Sequence, residues 1–287
     1  VSLLARRHTL LRAIRSFLDG AGYVEVETPC LVPATVPETH IDLFEVGGGL
    51  LLAASPEPHM KRLVAGGHDR IYQLTRAFRA GEHGTWHRPE FTLLEWYRRG
   101  AGYVDLMDET EALLDVLCTA AGREPVAVAR MSVDDAFERW AGWMPSRSWD
   151  EERFSRDLIE RVEPGLGKLG SVFLHDYPAA AASLARLCPS NPALCERFEL
   201  YVDGIEIANA FSELTDPVEQ RRRLALANER RRAQGRPAYA IDRRFLEALE
   251  QGLPPCAGIA VGVDRLVAVL LGLDGIDEAM AFPWEAE

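Results

Sequence analysis

Residues 2–19 carry Leu4, Leu11, Ile14, Phe17 and Leu18 at helical spacing, which predicts an amphipathic helix ending at Gly20-Ala21-Gly22. A short alternating strand over residues 23–27 then runs into Pro29 and Pro33. Residues 50–54 read as a buried strand, and residues 57–65 as a helix opened by Ser55-Pro56. Two further strands, 71–78 and 91–97, flank a polar loop over 79–89, rich in Arg, His, Glu and Gly. A helix follows over 103–121, with Leu106, Leu113, Leu114 and Leu117 as its apolar face. The stretch 122–170 has no clear period and suggests short helices. Strands are expected at 171–175, 198–202 and 205–211, and a long arginine-rich helix at 214–234. Residues 245–249 fall in another helix, and a small-residue strand at 258–263 leads into an apolar helix at 265–271. Strands that look antiparallel, mixed in order with helices, favour an α+β fold over a doubly wound sheet.

The chain has 287 residues, 47% hydrophobic and 26% charged, which suits folded globular structure rather than disorder. No internal repeat or long linker divides it, and its length suits one large domain or two small ones. Acidic residues outnumber basic ones, 44 to 32, for a formal net charge of -12. That balance argues against nucleic acid held over a wide face. Lys61 and Lys168 are the only two lysines. Five cysteines, odd in number and never spaced C-x-x-C, fit a reducing cytoplasm better than a disulfide framework or zinc knuckle. No apolar run has the length of a membrane span, so no membrane partner is expected.

Three distant segments have an unusual inventory. One is Phe78-Arg79 leading to His87-x-x-x-Phe91; another is Glu199, Glu206 and Glu213, at intervals of seven; the third is Gly258 to Arg265, small residues ending in an Arg at a helix start. Together they meet the needs of a nucleoside triphosphate held for attack at its α-phosphate. Guanidinium forks suit phosphate oxygens, an aromatic and a guanidinium can sandwich a purine, and carboxylates can hold magnesium on a pyrophosphate leaving group. Taken singly, each has a structural reading. Glu206 and Glu213 could be solvated strand residues, and His87 could be a structural hydrogen-bonding group. Tyr97 could be core, while Arg221 to Arg223 and Arg230 to Arg232 read most simply as a solvated helix face.

Pro29, Phe78-Arg79 with His87-x-x-x-Phe91, and the Gly258 to Arg265 stretch resemble the three motifs of class II aminoacyl-tRNA synthetases. Ser55-Pro56-Glu57-x-His59-Met60-Lys61-Arg62, Pro89 to Tyr97, and Glu206-Ile207-Ala208-Asn209-x-Phe211-x-Glu213-Leu214-Thr215-Asp216 look like the lysyl branch. Within it, the chain is most similar to the truncated paralogues that ligate (R)-β-lysine to elongation factor P. The resemblance implies an antiparallel sheet flanked by helices, use of ATP and Mg2+, and a homodimer through the Pro29 region. It also implies a single catalytic domain over 1–287 and no anticodon-binding domain, since the first motif's helix begins almost at residue 1.

Residue by residue, the resemblance gives Arg79 and Arg265 the catalytic positive charge. Arg79 would contact the α-phosphate, Phe91 and Arg265 would stack on adenine, and Gly262 would line the nucleotide floor, with Ala80, Gly81, Arg88, Glu206 and Ile207 also on ATP. Glu199 and Glu206 would hold the metal. Glu57 would receive an amino group, Glu95, Tyr97 and Glu213 would surround the distal ammonium, and Ser55, Pro56 and Asn209 would complete the substrate site. A desolvated ammonium needs such pairing, and the site would reject uncharged analogues. Ala260 stands where lysyl-tRNA synthetases have Gly and the protein ligases Ala.

Several positions depart from the pattern. The loop reads Arg79-Ala80-Gly81-Glu82, with Gly81 in place of the usual Glu; Arg88 replaces Asn, Ala210 replaces Gly, and Ser212 replaces the ligases' His. These changes leave open a paralogue activating another amino acid for another acceptor, or a non-catalytic sensor of amino acid or nucleotide.

Overall fold

The computed structural model describes residues 2–283; Val1 and residues 284–287, the ends of the expected domain, lie outside the described residues. Ser2 caps helix α1 (Leu3–Gly20) by accepting from the Ala5 amide, and the helix buries Leu10, Ile14 and Leu18. Leu4, expected on that face, is 57% exposed because the helix's first turn overhangs the core. The strand expected at 23–27 is only β1 (Val24–Glu25), and the buried strand at 50–54 shrinks to β3 (Leu51–Leu52), paired with β2 (Leu31–Val32). Helix α2 (Glu57–Ala65) matches its predicted bounds. Strands β4 (Arg70–Phe78) and β5 (Glu90–Arg99) pair in register from Arg70↔Arg98 to Phe78↔Glu90 and hold the polar loop between them.

After α3 (Tyr103–Ala121), the unreadable stretch contains a strand that periodicity did not reveal, β6 (Ala129–Ser132). Three short helices follow, α4 (Val133–Ala141), α5 (Glu151–Asp157) and α6 (Glu163–Gly167), the last two joined by a π-helical turn over Leu158–Val162. Then come β7 (Ser171–Pro178), β8 (Leu187–Cys188), β9 (Asn191–Val202) and β10 (Ile205–Ser212). Helix α7 (Pro217–Ala233) starts three residues later than expected because Asp216 caps it, accepting from the amides of Val218 and Glu219, with Pro217 in its first turn. Helix α8 (Arg243–Gly252), strand β11 (Cys256–Gly262), α9 (Val263–Leu271) and α10 (Ile276–Ala279) complete the fold.

The fold is α+β. One nine-stranded sheet runs β1-β4-β5-β11-β10-β9-β7-β6, with β8 on β9. From β4 to β7 all neighbours are antiparallel, but the two edge pairs, β1 with β4 and β6 with β7, are parallel. The expectation of an antiparallel sheet therefore holds for its centre and not its edges. Alternation along the central strands sends Leu94 and Trp96, Ala208 and Ala210, and Ala257, Ile259 and Val261 into a core with α1, α3 and α9. Their neighbours in sequence face the opposite side, where α2, α4 and α8 contribute Met60, Phe137 and Phe245 to a second core. All five cysteines are free thiols, and among the described residues no helix is long and apolar enough to cross a membrane.

Candidate active site

Strand register assembles the site on that second face. Tyr97 sits opposite Gly258, Glu95 opposite Ala260, Asn209 opposite both Ala260 and Glu199, and Phe211 opposite Gly258. Residues far apart in sequence thus stand side by side on adjacent strands, with their side chains on one face. Two cavities open over this face and share Glu38, Arg79, Asn209 and Ala260 as walls. The larger, about 220 Å³, lies between the β4–β5 loop and the start of α9. The smaller, about 70 Å³, lies over Gly258.

The larger cavity is walled by guanidinium groups. Arg265, at the first turn of α9, donates to the Trp86 carbonyl (2.9 Å) and the Glu206 carbonyl (2.9 Å), and reaches the Glu206 carboxylate at 3.4 Å. It also donates to His87 Nε2 at 2.6 Å, so that nitrogen accepts and the neutral ring carries its proton on Nδ1. Burial, then Arg265 and Arg79, press the His87 pKa down to about 4, which keeps the ring neutral. Arg79 lies over the Phe91 ring, 5.1 Å to the centroid, and its buried Nε has no hydrogen-bond partner. An unmatched buried donor beside an open cavity suits an anionic ligand. Ile207 and Gly262 line this cavity.

Other expected nucleotide contacts are placed differently. Arg88 lines the cavity, but its guanidinium is taken by the carbonyls of Gly84 and His87 and by the Asp277 carboxylate. Ala80 and Gly81 line neither cavity: the Ala80 amide donates to the Asp42 carbonyl (2.7 Å), and Gly81 turns the chain at φ 78°. Glu82 comes within 3.8 Å of Arg79, so a carboxylate still faces this guanidinium although the Arg-x-Glu spacing is lost.

The expected metal carboxylates also differ from each other. Glu199 lines neither cavity, because its carboxylate accepts from Arg197 (2.6 Å), Tyr177 (2.6 Å) and Tyr201 (2.7 Å). Glu206 faces the larger cavity, and burial followed by the charge of Glu199 raises its pKa against Arg265. Glu163, behind them, is pushed up to about 7 by burial, Glu206 and Glu199. Crowded carboxylates raise one another in this way when no cation separates them. Among the described residues no three metal-binding side chains converge into a ready cage.

The smaller cavity is acidic, lined by Glu38, Glu57 and Glu95. Ser55 donates to Glu95 (2.5 Å) and accepts from the Glu57 amide (2.9 Å), while Tyr97 donates to the other Glu95 oxygen (3.0 Å). Pro56 sits at the start of α2 and does not line the cavity. A Cβ on Gly258 would fall 2.2 Å from Tyr97 Cε1 and 2.6 Å from Glu213 Oε1, so only glycine leaves room for both side chains. Burial, then the charge of Glu57, pushes Glu95 up to about 8. Glu213 rises to about 8 as well, from burial opposed by Lys61 and reinforced by Glu57.

Lys61, quoted above only as part of a motif, is the residue whose role the sequence concealed. It is 1% exposed, and its ammonium lies between Glu57 and Glu213, 2.5 Å from the latter. Burial alone would lower its pKa, and the two carboxylates more than reverse that, so it stays charged. The i, i+4 spacing of Glu57 and Lys61 on α2 was the available signal. Arg231 is the second. Read as part of a solvated face, it is instead 0% exposed, with its fork on the carbonyls of Pro237, Glu38 and Ile41 and on the Asp42 carboxylate. Ser212, at a departure from the ligase pattern, points away from the site and accepts from the Tyr103 amide.

A guanidinium-lined cleft joined to a buried carboxylate pocket, on the face of a mainly antiparallel sheet, agrees with the model of the tRNA synthetases of class II (D, K and N), which matches residues 1–286. The chain belongs to that family. It is 40% identical over 315 residues to the elongation factor P–(R)-β-lysine ligase of Vibrio cholerae, covering 99% of this chain and 96% of that one. The ligase of the same name from Hamiltonella defensa is 39% identical, with the same coverage, and that of Klebsiella pneumoniae strain 342 is 40% identical over 97% of this chain and 94% of its own.

Proposed function

We propose that this class II synthetase-family chain is a cytoplasmic ligase that activates (R)-β-lysine with ATP and transfers it to a lysine side chain of elongation factor P. The observation that carries the reading is the joined pair of cavities, one suited to phosphate and one to ammonium, in a chain whose near full-length relatives bear that ligase name. ATP would lie in the larger cavity, with adenine against Phe91 and Arg265 and the α-phosphate at Arg79, whose unpaired Nε faces it. The amino acid would lie over Gly258 with its distal ammonium among Glu95, Tyr97 and Glu213 and an amino group near Glu57. Its carboxylate attacks the α-phosphate, pyrophosphate leaves, and an aminoacyl adenylate remains. Fixed positive charge is worth most here because the donors need no reorganisation as phosphoryl charge develops.

Magnesium, when bound, would neutralise the pyrophosphate leaving group. Glu206 would hold it, with Glu199 adding negative charge from behind; Mg2+ commonly uses one or two carboxylates plus substrate phosphates, so the lack of a full protein cage fits. The homodimer reading is supported by exposed apolar side chains near Pro29, including Val24 at 59% and Leu31 at 47%. Incubating the chain with ATP, (R)-β-lysine and elongation factor P tests the proposal. Mass spectrometry should find one lysine of the acceptor carrying the β-lysyl group through an amide. An unmodified acceptor, with adenylate formed, would move the acceptor elsewhere.

A further inference from the structure

Besides the two cavities already described, a vestibule of about 450 Å³ opens beside them, edged by Trp149, Arg223 and Arg230. Among the described residues, only Glu38 and Asn209 line all three spaces. Asn209 has no proton to gain and already accepts from Arg197 Nε at 3.0 Å. The Glu38 carboxylate has no hydrogen bond or ion pair to another described residue, so it is open to a ligand. Its backbone is nonetheless fixed, since buried Arg231 of α7 donates to the Glu38 carbonyl at 2.9 Å and to the Ile41 carbonyl at 2.7 Å. A carboxylate on a braced backbone, at the junction of three spaces, is placed to meet a proton donor entering from any of them.

From this geometry we propose that Glu38 is the general base that deprotonates the acceptor amine arriving through the vestibule. The inference rests on the adenylate reading above. A lysine ammonium titrates near 10.4, so at pH 7 less than about 0.1% is free amine. The step balances as follows. The ammonium gives one proton to the Glu38 carboxylate, and its freed lone pair attacks the acyl carbon. The nitrogen–carbon bond forms, the bond from that carbon to the phosphate oxygen breaks, and AMP leaves with the electron pair. The second amine proton leaves with the AMP phosphate. Burial raises the Glu38 pKa, with Glu57 reinforcing and Arg79, Arg197 and Lys61 opposing, which brings the acid and the amine closer to matched. The other glutamates lining the two cavities are engaged, Glu57 with Lys61, Glu95 with Ser55 and Tyr97, Glu82 with Arg79 and Glu206 with Arg265.

The test compares Glu38→Gln with the unmodified chain at three readouts: ATP–pyrophosphate exchange with (R)-β-lysine, amide formation on elongation factor P, and hydroxamate formation with hydroxylamine. Hydroxylamine is mostly unprotonated at neutral pH and needs no base. Amide formation should fall on the order of 10²-fold or more in Glu38→Gln, while hydroxamate formation falls at most a few-fold. Glu38→Asp should recover part of the amide rate. Equal losses toward both nucleophiles, or no loss toward the protein amine, would overturn the proposal while leaving the adenylate reading intact. Absence of pyrophosphate exchange in the unmodified chain would instead remove that reading, and the proposal with it.

Discussion

Lys61 shares its pocket with more carboxylate than one ammonium can neutralise. Glu57 and Glu95 line the small cavity, Glu213 lies behind its Gly258 wall against Lys61, and Glu95 and Glu213 are both pushed up to about 8. The empty pocket therefore holds extra protons, and the sign follows from linkage. An acid raised in the folded state stabilises the fold below its unfolded pKa, and that contribution is lost as pH rises through the folded value. Thermal stability of the unliganded chain should accordingly fall between about pH 5 and about pH 8, and a diamino acid should flatten the slope. Calorimetry in buffers of different ionisation enthalpy should detect proton release when the amino acid binds at pH 7. Proton uptake instead would show that the raised carboxyls are not its partners. Gly258 sets the other limit on this pocket. Gly258→Ala puts a methyl group into Tyr97 and Glu213, so stability should fall by about 1–3 kcal/mol in urea unfolding. Amino-acid affinity should fall far more than ATP affinity; equal losses would place Gly258 outside the amino-acid site.

At the scale of elements, strand register turns three separated motifs into one surface, and α7 braces the segment that closes it. Arg231 spends its whole guanidinium on residues 38–42 and Pro237. Arg231→Ala should therefore cost about 3 kcal/mol or more, because buried carbonyls and Asp42 lose their partner. Unchanged urea midpoints would mean that the 38–42 segment stands without it. The sequence made the central elements legible where pattern was strong: α2, the β4–β5 hairpin, α3 and the strand–helix unit ending at Arg265 all lie where periodicity put them. The edges were hidden. Strand β6 is four residues long, too short for an alternating pattern to stand out, and β9 extends back to Asn191 through a stretch that contains Pro192 and no regular alternation. Arg231 was misread because a charged residue in an arginine run usually faces solvent, and nothing in the run reveals which one the chain folds over.

For the whole molecule, the excess of acidic residues over basic ones, a net charge of -12, matters less than where charge is placed. Arg79, Arg88 and Arg265 line the larger cavity together with Glu38, Glu82, Glu206 and Asp264, the smaller holds Glu57 and Glu95, and the two meet at Glu38, Arg79, Asn209 and Ala260. The cavity-lining residues that the sequence singled out are those in its motifs, such as Arg79, Phe91, Glu95 and Arg265. Glu38 and Lys61 drew no role there because their surroundings depend on what lies opposite them in space. The proposed function calls for a substrate with a carboxylate at one end and an ammonium at the other, joined to a nucleotide through its α-phosphate. ATP–pyrophosphate exchange, run across a panel of both β-lysine enantiomers, α-lysine and leucine, tests that requirement most directly. Exchange should be strongest with (R)-β-lysine and undetectable with leucine. Exchange that is absent with every diamino acid, or as strong with leucine, would contradict it.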